Sequence, residues 1–86
     1  MIVLWRVQDG SRRVGFAVGR QVRGAVRRNR VRRRLREAYR MARELAPTSV
    51  DLVVIGRASA QMVGAPVLVE EMREAFRAMT GMRGGR

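Results

Sequence analysis

The chain contains no cysteine, no histidine and no lysine, and it has two prolines, four aromatic residues and seven acids. Each shortage closes a class of function. Without cysteine there are no disulfides and no thiolate metal sites, as expected of a protein from a reducing cytoplasm. Without histidine the commonest general base, proton shuttle and metal ligand is missing, which excludes most self-sufficient active sites. The acids do not replace it, because only Glu70, Glu71 and Glu74 lie close together, at the spacing of one polar helix face. No catalytic side chain and no metal site are expected. No apolar run approaches the roughly 18 residues of a membrane span, and no apolar signal region follows Met1.

What remains is a chain of 86 residues with an apolar fraction of 47%. That composition argues for a folded body rather than a disordered tail, and the length for one module, residues 1–86, with one modest core. The nineteen basic residues are all arginines and leave a net charge of +12. So strong a field on so small a body attracts polyanions, nucleic acid first among them.

Ile2 to Val7 read as a strand, and Asp9-Gly10 has the turn chemistry that predicts a hairpin into a second strand, Val14 to Val18. In that second strand Val14, Phe16 and Val18 fall on one face, while Gly15 and Ala17 leave the other low and open. From Ala25 to about Leu45 the apolar residues Val31, Leu35, Ala38, Ala42 and Leu45 recur at helical intervals, and Pro47 ends the helix. Val50 to Ile55 is a β-branched strand expected to be buried largely on both sides. Pro66 opens a second helix whose inner face is Leu68, Met72, Ala75, Phe76 and Met79, and the tail from Gly81 is expected to fray. Strand, strand, helix, strand, helix predicts an α+β fold, with helices laid on one small sheet.

Residues 20–43 hold eleven of the arginines against one acid, Glu37. Between Arg27 and Glu44 eight arginine pairs stand three or four residues apart, against four acid–arginine pairs at these spacings. The surplus of four repulsive pairs costs roughly 1–2 kcal/mol. A helix that needed only solubility would alternate its signs, so this one is built for a polyanion. At 100° per residue, Asn29, Arg33, Arg36 and Arg40 lie nearly opposite the apolar seam. Asn29 is the one asparagine in the chain. Its amide both donates and accepts, which suits a base edge or a 2′-hydroxyl, while arginine forks suit phosphates and stack on bases.

The stretch VGFAVGRQVRGAVRRNRVRRRLREAYR, Val14 to Arg40, resembles without a gap the signature of the protein component family of bacterial ribonuclease P. Asp51-Leu52-Val53-Val54-Ile55-Gly56-Arg57 and the final helix continue the resemblance more loosely. The resemblance implies a two-layer α/β sandwich with a left-handed βαβ crossover. It also implies a protein that binds a catalytic RNA which, with its own magnesium ions, cleaves precursor transfer RNA at the 5′ end; the protein itself holds no cofactor. Carried over by position, Arg28, Asn29, Arg30, Arg32, Arg33 and Arg36 face the catalytic RNA, and Arg20 and Gln21 match a basic pair. Arg28, Asn29, Trp5 and Ala17 are implied near the substrate's 5′ leader, Ala17 on the same strand that leads to Gly19. Relatives begin with a helix that walls the leader cleft, whereas this chain opens at a strand. The resemblance is therefore to an N-terminally shortened form, with poor discrimination between precursor and mature transfer RNA expected. An uncovered sheet face also favours self-association. The other reading is a ribosomal or structural RNA-binding protein without a role in cleavage. A DNA-binding module fits less well, since no short helix precedes the basic one and no zipper follows it.

Overall fold

The computed structural model describes the backbone of residues 1–84 and all their side chains except those of 59, 61 and 80–84. Its elements are β1 (Ile2–Val7), β2 (Arg13–Val18), α1 (Ala25–Ala42), β3 (Val50–Gly56) and α2 (Ala65–Gly84), with short 3-10 turns at Arg43–Leu45 and Ala58–Gln61. The elements follow the sequence closely. The second helix runs on through Gly84 where a fray was expected from Gly81, and residues 85 and 86 lie outside the described residues.

The expected hairpin does not form. The sheet order is β1-β3-β2, with β1 antiparallel and β2 parallel to β3. β3 carries the longest β-branched run and takes the centre, where both its edges are paired. β1 and β2 then stand two strand spacings apart, about 10 Å, which a two-residue turn cannot cross. The five residues 8–12 can, and the Gln8 side chain braces them through the Ser11 carbonyl and the Gly10 amide. β2, α1 and β3 thus form the βαβ unit.

β3 also departs from burial on both sides. Val50, Leu52, Val54 and Gly56 are buried, whereas Val53 is 39% exposed. Both helices cover one face of the sheet only. On that face Val31, Leu35, Ala38 and Ala42 of α1 meet Leu68, Met72, Phe76 and Met79 of α2, all buried.

The open face carries one polar device. Arg6 and Arg13, on the two edge strands, are both in register with Asp51 of the central strand. Arg13 donates through Nε and Nη2 to the carboxylate at 2.9 and 3.0 Å, and Arg6 through Nη2 at 2.9 Å. The Arg13 hydrogen bonds, followed by that from Arg6, hold the Asp51 carboxyl below its ordinary pKa. A depressed acid stabilises the fold above the unfolded value of about 3.9, and that contribution fades as pH falls through the native value. Acid titration of thermal stability is therefore expected to show a steeper loss below about pH 4 in the parent than in Asp51→Asn. Parallel acid limbs would show that the three-strand clamp adds nothing.

Candidate nucleic-acid interface

α1 is capped by Gly24, whose φ of 90° is a conformation few other residues adopt, and the first helical bond runs from the Arg28 amide to the Gly24 carbonyl at 3.0 Å. No side chain caps this end and no acid stands in the first turn. The helix therefore presents free amides and a partial positive charge beside Arg27 rather than neutralising them.

The two sides of α1 divide as the periodicity predicts. Val31 and Leu35 are fully buried, while Asn29, Arg30, Arg33, Arg36 and Arg40 are exposed. Among the described residues, no hydrogen-bond acceptor engages the guanidinium groups of Arg30, Arg33 or Arg40, so an incoming phosphate displaces no protein partner. Arg32 is half-buried and donates to the Asn29 Oδ1 at 3.0 Å, which engages the acceptor of exposed Asn29 and not its amide donor.

Arg28 stands apart from this group. Its Nη1 donates to the carbonyls of Gly19 at 3.2 Å and Val22 at 3.0 Å, and its Nη2 to that of Val18 at 3.1 Å. Both terminal nitrogens are turned inward onto the connector that joins β2 to α1. The side chain holds that connector, and with it exposed Arg20 and Gln21, in place. Arg34 is likewise turned inward, donating to the Val63 carbonyl.

The residues expected along a leader do not share a surface. Trp5 is opposite Leu52 and Ala17 opposite Ile55 in the ladder, and paired residues share a face. Trp5 therefore lies on the helix-covered side, packed against the core with Met1 and Val3, and Ala17 on the open side with Gly15. The intervening β3 sets the parity that separates them. The open face also shows Ile2, Leu4 and Val53 to solvent.

Arg12 was not singled out by periodicity, since it precedes a strand and belongs to no repeating pattern. Its guanidinium lies 5.8 Å from the Tyr39 ring centroid and donates to the carbonyls of Ala46 and Pro47 at 3.2 and 3.3 Å. Among the described residues no group of three or more acids, histidines or cysteines is placed to hold a metal, and no helix is long and apolar enough to cross a membrane.

Against known proteins, a family model described as Ribonuclease P matches residues 1–80. The ribonuclease P protein component of Gluconacetobacter diazotrophicus is 43% identical over 82 residues, covering 94% of this chain and 70% of that protein. The one from Pelotomaculum thermopropionicum is 54% identical over 48 residues, 56% of this chain and 43% of the relative. The chain thus spans from under half to about 70% of the length of these relatives. Among solved structures, the RNase P protein from Thermotoga maritima superposes with a TM-score of 0.76 at 28% identity, covering 88% of this chain and 74% of the other. The Staphylococcus aureus RNase P protein gives 0.68 at 20% identity, a likeness of fold, over 90% and 72% of the two chains.

Proposed function

Because this chain belongs to the ribonuclease P protein family, we propose that it is the RNA-binding subunit of that endoribonuclease, assisting a catalytic RNA in removing the 5′ leader of precursor transfer RNA in the cytoplasm. The observation that carries the reading is the exposed stripe of Asn29, Arg33, Arg36 and Arg40 on a helix that keeps a surplus of like-charge neighbours. The cost of that repulsion is offset only when a polyanion lies along it.

In this reading Arg30, Arg33 and Arg40 neutralise phosphates of the catalytic RNA, Asn29 meets a base edge or 2′-hydroxyl, and Arg28 acts through the connector that presents Arg20. The magnesium ions and the chemistry of cleavage belong to the RNA. The protein lowers the magnesium demand by bringing fixed cations to the folded RNA, which is otherwise held against its own repulsion by ions. The leader passes the open sheet face at Ala17, with Trp5 supporting the sheet from behind. The same face is the one through which copies would self-associate.

The test is to add the chain to a bacterial ribonuclease P RNA at magnesium too low for the RNA alone to act, and to follow cleavage of precursor transfer RNA. Cleavage at the mature 5′ end that requires the protein is expected. Tight RNA binding with no protein-dependent gain in cleavage at low magnesium would point instead to a structural RNA-binding protein.

A further inference from the structure

At the free edge of β2, four side chains stand in a row that phosphate binding does not require. The Arg36 guanidinium lies over the Phe16 ring at 5.8 Å from its centroid. Phe16 meets Tyr39 edge to face, with centroids 5.8 Å apart and planes at 67°. Tyr39 in turn carries the Arg12 guanidinium at 5.8 Å. The row is tied to the core through Tyr39, which packs on fully buried Phe76 at 6.2 Å and 86°.

A phosphate asks only for a cation within reach, and a guanidinium on a flexible stem supplies that, as at Arg33 and Arg40. Laying a guanidinium over an aromatic ring does something else. The ring fixes the position of the fork through cation–π attraction and removes water from its inner side, while the outer side of exposed Arg36 remains open. The result is a planar, oriented, weakly hydrated cation, and the ligand that matches it is another flat π-system. Phe16 and Tyr39 are themselves half-buried, so the arginine plane is the surface a ligand meets and the rings are its backing. Arg12, itself half-buried, lies over Tyr39 at the same distance and is pinned by its bonds to Ala46 and Pro47.

We propose that Arg36 backed by Phe16 is a stacking platform for an unpaired nucleobase of the bound RNA, with Arg12 on Tyr39 as a second platform farther along the same edge. The proposal rests on the RNA-binding reading and specifies the feature of RNA that is recognised. Arg33 and Arg40 of the stripe take the phosphates of a helical segment, and the base that stacks is one extruded beside it. Stacking of this kind is tolerant of base identity, because every base offers a π-face.

The experiment uses the full chain and two RNA hairpins of equal length and charge, one a continuous duplex and one with a single 2-aminopurine bulge. Wild type is expected to prefer the bulged hairpin and to change the fluorescence of the 2-aminopurine on binding. Arg36→Lys keeps the charge and removes the plane. It should lower the preference for bulged over continuous RNA about tenfold, while the salt dependence, which counts charges, keeps its slope. Phe16→Leu leaves every charge in place and should reduce the same preference, with circular dichroism verifying that both variants are folded. An unchanged preference in folded Arg36→Lys, or equal losses on the two hairpins, overturns the platform and makes Arg36 a phosphate ligand. Failure of wild type to bind either hairpin would instead remove the RNA-binding reading on which the proposal rests.

Discussion

Raising the salt concentration from about 50 to about 200 mM is expected to weaken binding of this chain to ribonuclease P RNA by about 250-fold or more. The figure follows from counterion release. Roughly six phosphates neutralised along α1 and its connector give a log–log slope of magnitude about 4 to 5, and a fourfold change in salt raised to the fourth power is about 250. The structure gives the donors: Arg27, Arg30, Arg33 and Arg40 are exposed on α1, and Arg20 and Arg23 on the connector. Replacing Arg33 and Arg40 together with alanine should reduce the slope by about 1.5 to 2, since each phosphate contact contributes about one. Thermal stability should stay within about 0.5 kcal/mol of the parent, because neither side chain belongs to the core. Filter-binding isotherms across a salt series measure the slope directly. A slope near 1, or one untouched by the double replacement, would remove these arginines from the interface.

Gly56→Ala is expected to be the most damaging of the small changes open to this chain. A β-carbon at Gly56 would stand 2.6 Å from the Val31 Cγ1 and 2.9 Å from the Leu35 Cδ1, well inside van der Waals contact. Both neighbours are fully buried, and Val31 is stiff at χ1, so neither side chain can swing clear. The helix must lift from the end of β3, where Gly56 also accepts the Gly19 amide at 2.8 Å. Overpacking of this sort costs about 1–3 kcal/mol, a large share of a total stability on the order of 5–10 kcal/mol for a domain of this size. Gly15→Ala is the control, because a β-carbon there meets nothing within 4 Å. It should leave the denaturant midpoint unchanged or slightly raised. Equal midpoints for the two variants would mean that α1 does not seat on Gly56 as described.

Gly56 also shows where pattern reading stops. In the sequence it is one more glycine at the end of a strand, and nothing in its neighbours announces that a helix twenty residues earlier will be pressed onto it. The same holds for Arg28. As a member of a basic run it reads as one more phosphate ligand, and only the folded connector shows its fork closed on the carbonyls of Val18, Gly19 and Val22. Arg36 was legible as a stripe residue, but its seat on Phe16 depends on how α1 crosses the edge strand.

The sequence by itself determined the elements, the two sides of α1 and the sign of the partner, because each of these rests on local quantities: apolar spacing at 3.6 or 2 residues, and charge counted along one helix. It also carried the family, through an ordered run from Val14 to Arg40. Tertiary structure alone decided which strand stands in the centre, and three things followed from that choice. Placing β3 between β1 and β2 set Trp5 and Ala17 on opposite faces, gathered Arg6 and Arg13 onto Asp51, and left the edge of β2 free for the arginine–aromatic row. Strand order is a competition among non-local pairings that share the same residues, and it is settled by how much apolar surface the whole arrangement buries under two helices. No window of sequence contains that sum.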